Sequence, residues 1–141
     1  GDGPPELVPA APLVPSQVVL VGARAFDPDE DDYIEQHSVR SIGVDVASPE
    51  AIVAAVEATG AASVYIHIDV DVIDPAEFAG KANPEPFGLE TGVLVASLRA
   101  LVARFTLVGA GITEFAPASA SAAVDDLPTV LRIVGALTSA R

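Results

Sequence analysis

Tyr65 to Pro75 reads YIHIDVDVIDP, an apolar strand that ends in acid. Strand side chains alternate between faces, so a strand from Val64 to Val70 puts Val64, Ile66, Ile68 and Val70 on one side. Tyr65, His67 and Asp69 take the other, and Asp71 continues that polar face where the strand runs out. Two carboxylates two residues apart repel each other unless a cation or a proton sits between them. Ligand sites in open α/β sheets lie at the carboxyl ends of strands, where this pair falls.

Outward from the strand, the pattern is periodic on both sides. Upstream, Gln17 to Arg24 (QVVLVGAR) and Val39 to Val44 are short β-branched runs that read as buried strands. Between them Asp27, Asp29, Glu30, Asp31 and Asp32 open a helix through Tyr33, Ile34 and His37, because unpaired first-turn N–H groups favour acids. Ser48 and Pro49 start another helix, with Ile52, Val53 and Val56 as its core stripe, and Gly60 ends it. Downstream, Asp74 to Leu89 is a long loop carrying Pro75, Gly80, Pro84, Pro86 and Gly88, and long loops at strand ends tend to be functional. A helix over Gly92 to Arg104, a strand over Leu107 to Phe115 with Glu114 near its end, a turn after Pro117 and a helix over Leu127 to Leu137 complete the reading. Strands alternating with helices imply parallel pairing through helical crossovers. The expected fold class is α/β.

Composition bounds the function. The 141 residues are 50% hydrophobic and 19% charged, which suits one globular domain at most. Residues 1–16 hold five of the twelve prolines and read as a connecting segment, with residues 17–141 forming the folded portion. A net charge of -13 with seven Lys and Arg argues against nucleic acid and for cations. No apolar run approaches the ~18 residues of a membrane span, and no stretch reads as a signal peptide. The absence of Cys excludes thiolate sites and disulfides and fits a reducing, cytoplasmic setting. The absence of Met suggests a processed chain or a piece of a longer one.

A lone D-x-D is a weak signal. Here it ends an apolar strand, Asp74 follows three residues on, and a separate strand brings Glu114 to the same sheet edge. Such oxygen and imidazole donors suit Mn or Mg better than a soft metal. The alternative is that Asp71 and Asp74 only cap and tie the loop.

YIHIDVDVIDP, followed by PEPFGL and GAGITEFAP, resembles the C-terminal half of the ureohydrolases, the arginase and agmatinase group. The resemblance covers residues from about Gln17 onward and implies a three-layer α/β/α fold with a mainly parallel sheet, its N-terminal half absent. It implies Asp69 and Asp71 as metal ligands, Asp69 bridging two Mn2+ ions, and Glu114 as the partner of a substrate guanidinium. Asp74 and His67 would support the site from behind the ligands. His37 reads as surface.

The implied chemistry is metal-assisted hydrolysis, in which water acidified between two cations attacks a guanidinium carbon and yields urea and an amine. Arginine is the first expected substrate, with agmatine or another guanidine as the alternative. The family's remaining ligands, a His and a D-x-H-x-D motif, have no match in this chain. It is therefore expected to be inactive alone, and to form a homo-oligomer or associate with a full-length homologue. Phe87-Gly88 replaces the family's Gly-Gly, and Glu90 stands where a small capping residue is usual. Two further readings are a haloacid-dehalogenase-like phosphatase using Asp69, Lys81 and the Asp125–Asp126 pair, and a non-catalytic partner of an intact relative.

Overall fold

Ser48, Pro49 and an apolar stripe behind them dictate a helix, and in the computed structural model, which describes residues 11–139, they form one. Ser48 Oγ accepts the Ala51 amide at 3.1 Å, and helix α2 runs Pro49–Glu57. Gly60, at φ +78°, follows its end. Asp27 does the same for α1, Pro28–Gln36, through a capping box in which Asp27 and Glu30 each bond the other's backbone amide. Helix α3 spans Thr91–Arg104 and α4 spans Ala120–Leu137.

Four strands alternate with these helices. β1, Val19–Val21, pairs in parallel with β2, Arg40–Ile42; β3, Ser63–Asp69, pairs in parallel with β4, Thr106–Thr113. The two pairs share no ladder among the described residues. They meet through packing: Val19, Val21, Val64 and Ile66 all lie against a cluster of Ile42, Ile52, Leu101 and Phe105. The expected parallel α/β architecture is present.

The layers follow from strand alternation. Val19 and Val21 point to the α2 side, and Leu20 points the other way, where it shares a depression with Tyr33 and Ile34 of α1. At the β3–β4 end, Ile66, Ile68 and Ile112 pack on Leu94, Val95 and Leu98 of α3 and Ile133 and Ala136 of α4. Ile73 and Phe78, from the segment after β3, are fully buried in this cluster, each contributing about 1.5–3 kcal/mol. The opposite face of β3–β4 is open, with Tyr65 63% and Val108 67% exposed.

Several boundaries move. Pro15–Gln17 is a 3-10 turn, so β1 is shorter than the Gln17 to Arg24 run, and Val44–Val46 is a 3-10 turn that shortens the second run likewise. Residues 1–10 of the expected connecting segment lie outside the described residues. The fourth strand ends at Thr113 instead of Phe115. The last helix begins at Ala120, not Leu127: Ser119 Oγ accepts the Ala122 amide at 3.1 Å, and the alanine-rich stretch expected to turn is helical. Pro128 then sits inside α4. It is exposed beside exposed Val124 and Leu127, so the carbonyl that loses its donor is on the solvent side. No helix among the described residues is long and apolar enough to cross a membrane.

Candidate functional site

The apolar alternation of β3 stops at Asp69 because Asp69 bonds to its own continuation. Its Oδ1 accepts the Asp71 amide at 2.8 Å, turning Val70–Val72 into a 3-10 turn instead of extending the strand. Val70 stays in the core, and Asp71 is left at the rim. Asp71 Oδ1 is buried and has no hydrogen-bond partner. Burial raises the Asp71 carboxyl above its ordinary value, and the Asp69 and Glu114 charges push the same way, while Lys81 and Arg24 oppose.

The register of β3 on β4 brings the second strand's acid to this point. Val108 is an extra residue between Leu107, paired with Val64, and Gly109, paired with Tyr65. Beyond that bulge Asp69 pairs with Thr113, so Glu114 emerges next to the Asp71 turn. Glu114 holds φ +63°, a left-handed conformation that costs a side-chain-bearing residue about 1–2 kcal/mol. On the open face, Tyr65 lies across Gly109 and Gly111, where an added Cβ would stand 3.1 Å from a ring carbon and 2.9 Å from the hydroxyl oxygen, respectively. His67 shares that face, its Nε2 hydrogen-bonded to Thr113 Oγ1 at 3.2 Å. His37 is remote, stacked on Tyr33 at 3.9 Å.

Asp74 faces the loop. It accepts the Ala76 amide at 2.8 Å and the Gly88 amide at 3.0 Å. These backbone bonds, Ala76 first, hold its carboxyl below the ordinary value. The loop ends are zipped by Asp74 N–H to the Leu89 carbonyl and Leu89 N–H to the Val72 carbonyl. Glu90 makes no side-chain cap at the start of α3; Glu77 reaches from the loop instead and accepts the Thr91 amide at 2.7 Å.

Three charged residues at this loop were no part of the expected metal site, although Lys81 and Asp126 belong to the phosphatase reading. Arg24, just past β1, donates to the carbonyls of Asp71 (2.9 Å), Glu85 (2.6 Å), Pro86 (3.0 Å) and Gly22 (3.2 Å). Lys81 is 7% exposed and donates its ammonium to the Ile73 carbonyl. Asp126, buried on α4, accepts the Ala79 amide at 3.1 Å. The signal available for Lys81 was that it is the only lysine in the chain. Arg24 and Asp126 reach the loop across 47 or more positions, and no local pattern ties either to the Asp69–Asp71 site.

Hard oxygen donors and the unpartnered buried Asp71 Oδ1 fit a divalent cation at Asp69 and Asp71. The donor set is partial: no group of three or more His, Cys, Asp or Glu gathers around one cation position among the described residues.

Comparison with known proteins identifies the family. The arginase family model matches residues 7–132. An N(omega)-hydroxy-L-arginine amidinohydrolase of Streptomyces lavendulae is 34% identical over 128 residues, covering 88% of this chain and 44% of the relative. A guanidinopropionase of Pseudomonas aeruginosa is 35% identical over 118 residues, covering 74% of this chain and 35% of the relative. The crystal structure of arginase from Bacillus subtilis superposes with a TM-score of 0.79 at 20% identity, over 90% of this chain and 47% of that one. The chain thus spans less than half the length of these relatives. With a matching family model over most of its residues and the same fold, the chain belongs to the arginase family.

Proposed function

We propose that this chain carries the strand-end part of a metal-dependent site that hydrolyses a guanidino compound to urea and an amine, with the remaining metal ligands contributed from outside these residues. The observation that supports it is the buried, unpartnered oxygen of Asp71 beside Asp69, with Glu114 at the parallel end of the next strand. Asp69 and Asp71 would hold Mn2+, which supplies Lewis acidity and an acidified water near neutral pH. Glu114 would accept hydrogen bonds from the planar guanidinium and fix its carbon for attack. Asp74, Arg24 and Lys81 would hold the loop that borders the site, and His67 would brace Thr113 beside Asp69.

A complementing polypeptide fits the surface. The open β3–β4 face bears Tyr65 and Val108, and Val124, Leu127, Leu131 and Val134 form an exposed apolar stripe on α4. A homologue's missing half or another copy would cover these.

The test is urea release by the whole protein with Mn2+ from arginine, agmatine and 3-guanidinopropionate. Release from at least one of them, lost in Asp71→Asn, is expected; a metal-loaded, folded protein that releases none overturns the reading. The 141 residues alone are expected to release no urea, and activity in them would remove the need for outside ligands.

A further inference from the structure

Lys81 is a buried cation with one hydrogen bond to a carbonyl. A lysine placed only to cover the loop would keep its ammonium in water while its stem packs. This one is 7% exposed, with its ammonium on the Ile73 carbonyl, between the turn that carries Asp71 and the start of the loop that Asp74 ties. A single carbonyl is thin compensation for a buried charge. It forms no salt bridge with a described carboxylate, so the charge is balanced at longer range.

We propose that Lys81 is a built-in counter-cation for the Asp69–Asp71 pair, holding the two carboxylates together without metal and weakening the binding of a divalent cation to them. Opposite charges gathered at one partly buried turn, Lys81 on the Ile73 carbonyl and Asp69 on the Asp71 amide, still interact by kilocalories without touching. The interaction is mutual: burial lowers the Lys81 ammonium's affinity for its proton while Asp71, Asp74 and Asp69 restore part of it, and Lys81 in turn lowers the Asp71 carboxyl against its burial. Arg24 reaches the same turn through four carbonyls, one of them Asp71's own, and its charge also lowers the Asp71 carboxyl, though less than that of Lys81 does. Lys81 is the stronger of the two cations acting on Asp71. A metal arriving there must share them with an ammonium that cannot leave.

This inference rests on reading Asp69 and Asp71 as a cation site, and calorimetric titration with MnCl2 separates the two. In the whole protein, Lys81→Met is expected to bind Mn2+ about tenfold more tightly than wild type, Lys81→Arg to stay near wild type, and Asp69→Asn/Asp71→Asn to lose binding in either background. Equal or weaker binding by Lys81→Met, with wild-type binding still dependent on the aspartates, overturns the counter-cation and leaves the metal reading standing. No binding by either form of the whole protein overturns both.

A metal-free arm guards against a folding defect. Lys81→Met should lower the melting temperature by about 4 °C more in the wild-type background than in Asp69→Asn/Asp71→Asn. If Lys81→Met fails to fold alone yet folds beside the two asparagines, the coupling is shown directly. An identical shift in both backgrounds overturns the proposal.

Discussion

Asp74 and Gly88 are locked together at van der Waals limits: the Gly88 amide donates to Asp74 Oδ2 at 3.0 Å, and a Cβ built on Gly88 would stand 2.4 Å from the Asp74 amide nitrogen. The loop closes at this contact, and only a residue without a side chain permits it. Gly88→Ala must push the two backbones apart and is expected to cost about 2–3 kcal/mol, measured by urea denaturation. Gly135→Ala is the control. It lies in α4 with nothing within 4 Å of the added Cβ, so it should gain about 0.5–1 kcal/mol from helix propensity.

Phe87, next to that glycine, holds φ +61° with 83% of its surface exposed. The left-handed region is costly for a side chain, and an exposed ring gains little burial in return. Phe87→Gly is therefore expected to stabilise the chain by about 1 kcal/mol, less whatever the freer unfolded chain takes back. The same denaturation assay checks it, and a loss of stability would mean the ring is packing on something in solution.

Acid should open the loop through Asp74. Its carboxyl is held below its ordinary 3.8 by the Ala76 and Gly88 amides, so the unfolded chain binds more protons there than the folded one as pH falls through that range. The stability it lends is complete above that value and disappears as pH drops further, through the folded value. Asp74→Asn removes this slope, because a neutral amide does not titrate. Melting temperatures of both proteins between about pH 5 and pH 2 should converge toward the acid end. Parallel curves would show that the carboxylate's charge does not matter to the loop.

Much of this fold is written in local pattern. The apolar alternation before Asp69, the Ser48-Pro49 start of α2 and the acidic opening of α1 each carry a physical reason within a few residues, and the strands and helices form there. The start of α4 lies earlier than expected because Pro117 and the small residues after it read as a turn, while the Ser119 cap, the helix propensity of the alanines and the packing of Ile133 and Ala136 extend the helix back to Ala120. At the candidate site, the positions of Asp69, Asp71 and Glu114 follow from strand ends and register. What surrounds them does not. Arg24 reaches the loop across 61 and 62 positions, and Lys81 is buried by a loop whose path no periodicity describes. Phe87-Gly88 was visible as a departure from the family pattern. Its consequence, a strained φ beside a glycine that admits no side chain, needed coordinates.

Arg24 gives the sharpest test of how the loop is held. Its guanidinium is half-buried and reads four carbonyl oxygens at once, tying the end of β1 to the Asp71 turn and to Glu85 and Pro86. A planar fork can do this; an ammonium on a lysine stem satisfies far fewer of those acceptors in one geometry. Arg24→Ala is expected to cost about 2 kcal/mol, the loss of several charge-assisted bonds offset by water reaching the exposed ones. Arg24→Lys should recover less than half of that. Hydrogen exchange should place the loss in the 84–89 segment and at the Asp71 turn while α2 and α3 stay protected. If Lys restores full stability, the fork geometry is irrelevant and a positive charge near Asp71 is all that this position supplies.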